Sequence, residues 1–163
     1  MTFPKLRHAA LALMLGASSA TAEIAACGGS SGNPCRNPQV EAANRTLVID
    51  FYNSFFNDHD VTAAERFVAE DYIQHNPTVP DGRAPIIEFF SDNFQKNPER
   101  SSRIVRSAAD GDLVWLHVIS KQNPADRGVA VVDIFRVEDG KIVEHWDVIQ
   151  PVPETAANDN TMF

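Results

Sequence analysis

Cations are scarce in this chain: 14 Lys and Arg stand against 22 Asp and Glu, for a formal net charge of −8. The basic stripe that a phosphate backbone requires is therefore missing, and nucleic acid drops out as a partner. Long apolar runs are missing too, and no stretch reaches the roughly 20 residues of a transmembrane helix. Internal repeats and blocks of like charge are absent, which excludes solenoid arrays and charged interaction tails. No HExxH or comparable short spacing marks a metal centre. Cysteine is limited to Cys27 and Cys35, with no further ligands nearby to make a zinc site. What is present is an ordinary globular composition, 44% hydrophobic and 22% charged over 163 residues, enough for one domain.

The first 22 residues read as a secretory signal peptide. Lys5, Arg7 and His8 precede the apolar run from Ala9 to Ala17, and the small residues Ser18-Ser19-Ala20-Thr21-Ala22 end it in an A-x-A cleavage pattern. Export to the periplasm or the medium is the expectation. A competing variant takes Ile24-Ala25-Ala26-Cys27 as a lipoprotein box with Cys27 lipidated, although Glu23 sets a charge beside it. Residues 23–36 form a linker in which Gly28-Gly29-Ser30-Ser31-Gly32-Asn33-Pro34 is too flexible to pack. In an exported chain, Cys27 and Cys35 would staple that linker as a small disulfide loop.

Residues 37–153 read as helices first and strands second. Asn37-Pro38 opens a helix that continues to about Asn57, with Leu47, Phe51, Phe55 and Val48, Tyr52 at helical spacing. Thr62 and Glu65 suggest a capping box for a short second helix bearing Ala63 and Phe67. Tyr72-Ile73-Gln74-His75-Asn76-Pro77 reads as extended, and a third helix runs from about Ala84 to Lys96. The period then turns to two, with strands over 102–108, 113–121, 129–137 and 142–150 and a hairpin signal at Glu138-Asp139-Gly140-Lys141. Residues 154–163 are a polar tail expected to fray. The fold class is α+β, three helices packed on a curved, mainly antiparallel sheet.

Strand alternation gathers polar residues onto one face. A three-residue loop over Glu138-Asp139-Gly140 would pair Val137 with Lys141, Asp133 with His145 and Val131 with Asp147. Alternation then places Val131, Asp133, Phe135, Val143, His145, Asp147 and Ile149 together. Pairing His117 with Asp133 would add Trp115, His117 and Ile119. A two-residue loop at Asp139-Gly140 would instead pair Asp133 with Trp146 and separate it from His145 and Asp147. Charges among apolar side chains are costly unless paired or used, so this face is the candidate catalytic site. His75, between the second and third helices, is a further candidate at the mouth. Tyr72, Trp115, Phe135 and Trp146 are candidate substrate contacts, whereas the phenylalanines from Phe51 to Phe94 read as core.

Tyr72-Ile73-Gln74-His75-Asn76-Pro77, Val131-Val132-Asp133-Ile134-Phe135-Arg136 and the run from Gly140 to Pro151 resemble the SnoaL-like branch of the nuclear transport factor 2-like superfamily. Within it, the resemblance is to proteins labelled aldol-condensation-catalysing and to the polyketide cyclases, over roughly Asn37 to Glu154. The resemblance implies a cone-shaped α+β barrel with a deep apolar pocket for a small hydrophobic molecule. It implies an aldol-type step without a metal or organic cofactor, in which a carboxylate near the chain end takes a proton and a histidine holds the enolate. Carried onto this chain, the base is Asp147 and the helper is His117 or His145, with Asp133 orienting. It also suggests a homodimer formed through the open sheet face. A non-catalytic binder of the same fold is the alternative. His75, His117, His145 and Asp133 are ligand types suited to zinc or iron, but no spacing groups them as a metal site.

Overall fold

A computed structural model of the chain describes residues 37–163. The signal-like segment and both cysteines lie outside the described residues. Helix α1 (Pro38–Tyr52) starts where Asn37 accepts hydrogen bonds from the backbone N–H groups of Gln39 and Val40, at 3.0 and 3.3 Å, with proline at the first helical position. Its last turn widens into a π-helical turn over Asn53–Asn57, in which the Asp58 N–H reaches back to the Asn53 carbonyl at 3.0 Å. That widening turns Phe56 toward the interior beside Tyr52 and Phe55.

Helix α2 (Ala63–Phe67) is one short turn and a half, and its entry differs from the expected capping box. The acceptor is Asp60, whose carboxylate takes the N–H of Thr62, while Thr62 itself caps nothing. In the expected box the Glu65 side chain would reach back to the Thr62 N–H; Asp60 takes that donor instead. Strand β1 (Val68–Gln74) begins directly after this helix. Helix α3 (Arg83–Lys96) follows a loop closed by the Gly82 N–H on the Tyr72 carbonyl at 2.7 Å. Strands β2 (Ser101–Asp110), β3 (Leu113–Lys121), β4 (Val129–Glu138) and β5 (Lys141–Pro151) complete the chain.

The sheet order is β1-β5-β4-β3-β2, with β1 parallel to β5 and the other neighbours antiparallel. β1 and β2 are edges, so the sheet is an open, mixed one and the three helices complete the enclosure over its inner face. The core lies between them: Val48, Phe55, Val68, Val114, Leu116, Val118 and Ile142 are fully buried. Each such side chain contributes about 1.5–3 kcal/mol through removal from water. Among the described residues, no helix is long and apolar enough to cross a membrane. Asn44, in a glycosylation-like triplet, lies in α1 and donates its amide to the Gly111 carbonyl at 3.2 Å, tying the helix to the β2–β3 turn.

The β4–β5 hairpin departs from both registers considered above. Its turn has two residues, Asp139 and Gly140, with φ of 48° and 72°, and Glu138 pairs with Lys141. A bulge follows at once: Val137 opposes Ile142 while Arg136 opposes Glu144, leaving Val143 as the extra residue. Beyond it, Phe135 pairs with His145 and Asp133 with Asp147. The tight turn alone would have split these side chains between faces, and the bulge restores the parity. Ile142, rather than Val143, is the buried residue there.

The β3–β4 register differs by one residue from the expected one. Leu116, not His117, opposes Asp133, and a slip of one residue exchanges every side chain between faces. Val114, Leu116, Val118 and Ser120 therefore point inward, while Trp115, His117 and Ile119 point outward. Gly128 permits the close approach where this pair begins. It sits at φ +86°, and a Cβ there would lie 2.7 Å from the Ser120 carbonyl, so only glycine allows the two strands to meet this closely.

Candidate active site

The inner face and the helices enclose a cavity of about 320 Å3. One wall is aromatic: Phe51, Phe55 and Phe56 from the first helix face Phe89 and Phe90 from α3, with ring centroids 5.0 to 5.3 Å apart between Phe56, Phe90 and Phe55. The other wall is the sheet, and its polar groups concentrate where β1, β5 and β4 run side by side. Gln74 is level with His145 in the parallel β1–β5 pairing, so the two side chains share a face. Asn76 and Asp147 lie two residues further along, again on that face.

Each hydrogen bond in this cluster constrains the next. The Asn76 backbone N–H donates to Gln74 Oε1 at 2.9 Å, which fixes the orientation of the Gln74 amide. His145 Nδ1 lies 2.9 Å from the same oxygen and must therefore carry a proton. The other end of the amide, Nε2, donates to the Tyr72 hydroxyl oxygen at 3.2 Å, so the Tyr72 proton is free to point elsewhere. His145 Nε2 faces Asp133 Oδ1 at 3.0 Å. With Nδ1 already protonated, one further proton lies between Nε2 and Oδ1, as an imidazolium–carboxylate or an imidazole–carboxylic acid pair. Asp133 Oδ2 is buried with no hydrogen-bond partner among the described residues.

Asp147 completes the cluster. The Asn76 side-chain amide donates to both of its oxygens, at 3.0 and 2.7 Å. As direct cross-strand neighbours, Asp133 and Asp147 would repel if both were anionic and unrelieved. The hydrogen bonds from Asn76 to Asp147 and the contact of His145 with Asp133 offset that repulsion. Burial holds the Tyr72 phenol far above its ordinary range, and the nearby charges of Asp133 and Asp147 push it the same way. Burial does the same to Tyr52, reinforced by Asp133. Both phenols stay protonated, as donors.

Of the residues expected at the site, Asp133, His145, Asp147, Tyr72 and Phe135 line the cavity. His117, Trp115, His75 and Trp146 do not. His117 lies on the outer face, where Arg106 donates to its Nδ1 at 2.6 Å and the Phe163 ring approaches to 5.7 Å, so the tail expected to fray reaches back to the sheet. Trp146 opposes Ile134 and also faces outward, stacked on His75 at 4.7 Å with the rings 7° from parallel. His75 Nε2 contacts Glu144 at 2.8 Å there, rather than guarding the mouth. Strand alternation held the signal: with Tyr72 inward, Gln74 and Asn76 follow inward and His75 turns out. Gln74, Asn76, Tyr52 and Arg100 are among the lining residues not expected there, and Arg100, in a loop after Pro98, had no periodicity to reveal it.

Asp133, His145 and Asp147 are also a ligand set that one metal ion could bridge, with their candidate ligand atoms all within 4.8 Å. Occupation would cost the hydrogen bonds from Asn76 and the Asp133–His145 contact. His75 and His117, on the opposite face, cannot join such a set.

Known proteins were compared with the chain. A family model described as a SnoaL-like domain matches residues 48–145. No curated protein matches the sequence. Among solved structures, a proposed polyketide cyclase from Bacillus cereus superposes with a TM-score of 0.60 at 20% identity, covering 69% of this chain and 78% of that one. A proposed ketosteroid isomerase from Kribbella flavida gives 0.58 at 20% identity, over 72% and 85% of the two chains. An NTF2-like protein of unknown function from Mesorhizobium loti gives 0.59 at 22% identity, over 71% and 97%. At these identities the likeness is one of fold.

Proposed function

The chain belongs to the SnoaL-like domain family, and from that membership and the cavity's geometry we propose that it is an acid/base enzyme acting on a small hydrophobic carbonyl compound. The step is removal of a proton next to the carbonyl, giving an enolate that can close a ring, isomerise or cleave. Asp147 is the base: its carboxylate lies on the cavity wall and is held in place by Asn76. Tyr72 donates its free hydroxyl proton toward the enolate oxygen, where negative charge develops. The Asp133–His145 pair holds a proton beside them, available for return to carbon or to a leaving oxygen. The aromatic wall excludes water and strengthens these interactions. No metal or organic cofactor is needed for the step.

One observation carries this reading. The hydrogen-bond chain from Asn76 through Gln74 leaves opposite roles on neighbouring groups, an acceptor at Asp147 and a donor at Tyr72. Similar folds in a proposed cyclase and a proposed isomerase support the reaction class. The same proposal has the protein exported, on the strength of the leader pattern in residues 1–22.

The test is exchange of the methyl protons of 2-acetonaphthone in D2O, followed by proton NMR. The wild-type protein is expected to accelerate exchange, and Asp147→Asn to lose about 10²–10⁴-fold of that acceleration while remaining folded. Equal exchange in the two proteins overturns the assignment of the base. A second reading is favoured by the completeness of the hydrogen bonding, since every group of the cluster except Asp133 Oδ2 has a partner. On that reading the protein binds a small hydrophobic molecule without transforming it. Ligand binding that is insensitive to Asp147→Asn, with no exchange above buffer, would select the binder.

A further inference from the structure

Arg100 lines the cavity, yet among the described residues no carboxylate lies within ion-pair distance of it. Its guanidinium has five N–H donors. Nη1 reaches Asn93 Oδ1 at 3.3 Å and Nη2 reaches Ser120 Oγ at 3.2 Å, both uncharged and both long contacts. Nε is buried and has no partner among the described residues. A half-buried cation with neutral, incomplete partners is costly, and burial draws its proton affinity below the ordinary arginine value. Asp133 and Tyr52 act on it only at longer range.

The position is also prepared. The Arg100 N–H donates to the Asn97 carbonyl at 3.0 Å, and its own carbonyl lies 3.0 Å from His59 Nε2, whose ring stacks on Phe94 at 4.3 Å. The guanidinium lies over the Phe90 ring, 5.8 Å from its centroid. Along the sheet, its partner Ser120 opposes Val129, four residues from the Leu116–Asp133 pair. Four strand residues span about 13 Å, so Ser120, and the Arg100 guanidinium held on it, lie further along the inner face than the Leu116–Asp133 pair. Gln122, exposed, and Ile149 lie at the Arg100 end, which is the rim.

We propose that the cavity's ligand is an amphiphilic anion: a carboxylate binds Arg100 at the rim, an apolar middle lies along the phenylalanine wall, and the reacting carbonyl reaches Tyr72 and Asp147. This deepens the reading of the cavity as a substrate site and rests on it. The orientation follows from charge, because an anionic end is repelled by Asp147 and attracted by Arg100. Arginine suits the task through its planar fork, which pairs with both oxygens of a carboxylate.

The experiment is calorimetric titration of the full chain with 2-naphthoate and with its neutral counterpart 2-acetonaphthone. The wild-type protein is expected to prefer naphthoate by roughly tenfold or more, a preference that added salt reduces. Arg100→Gln should abolish the preference while leaving acetonaphthone affinity within about threefold, and Arg100→Lys should keep part of it. Equal affinities in the wild-type protein, binding of neither probe, or a preference that survives in Arg100→Gln overturns the proposal. Should Arg100→Gln fail to fold, the wild-type preference and Arg100→Lys still decide. The enolisation reading fails separately, through unchanged exchange in Asp147→Asn.

Discussion

The two faces of the sheet carry nearly the same chemical kit. Inside, His145 meets Asp133 at 3.0 Å beside Tyr72 and Phe135; outside, His75 meets Glu144 at 2.8 Å and stacks on Trp146. Their settings differ. The inner histidine and carboxylate side chains are 9% and 8% exposed, the outer ones 41% and 16%. The outer carboxylate is shared with Arg136, whose Nε donates to it at 2.7 Å. The inner pair is sealed, its histidine fixed by Gln74, and its neighbours open on a cavity. Residue types therefore do not distinguish a site from a surface ion pair; enclosure and fixed proton positions do.

The largest expected difference between the faces is catalytic. Asp147→Asn should remove about 10²–10⁴-fold of proton exchange, whereas Glu144→Gln on the outer face should leave it within about twofold. A comparable loss in Glu144→Gln would dissolve the distinction. Tyr72→Phe should come next, slowing exchange by about 10²-fold with little change in acetonaphthone affinity, because the phenol acts on charge that appears after binding. Kinetics that show a weaker KM and an unchanged kcat would reassign Tyr72 to ground-state binding.

Stability should separate the faces more gently. His145→Ala leaves Asp133 buried and alone, and urea unfolding should register a loss of about 3–5 kcal/mol. His75→Ala, at an exposed ion pair, should cost about 0–1 kcal/mol. Similar losses at both positions would mean the inner pair is not the sealed one. The smallest effect concerns acid. The hydrogen bond from His75, and then that from Arg136, hold the Glu144 carboxyl below the usual glutamate range. Its contribution to stability is thus complete above that range and fades as pH falls through the depressed value. Wild-type and Glu144→Gln proteins should differ in urea midpoint near neutrality and converge in acid. A gap that widens in acid would contradict this sign.

Much of this was legible along the chain. The Asn37-Pro38 start of α1, the apolar stripe of α3 and the Asp139-Gly140 turn are local signals, each set by a few neighbouring residues. The inward set of β4, Val131, Asp133 and Phe135, follows from a period of two. His145 and Asp147 also join that face, but through a two-residue turn and a bulge at Val143 rather than the wider loop first considered. The misplacement of His117 and Trp115 has one cause: a loop of seven residues separates β3 from β4, and nothing local in it states whether Leu116 or His117 meets Asp133.

Composition and period alone determined an acidic α+β chain, its three helices, the four strands after them, and which side chains within one strand share a face. These depend on contacts between residues close in sequence. The tertiary structure decided which strand faces coincide, that β1 lies parallel beside β5 so that Gln74 and Asn76 meet His145 and Asp147, and that Arg100 reaches the cavity at all. Register between strands and the placement of a loop cation are set by packing among distant residues, where a shift of one position reverses a side chain's direction without altering any local preference.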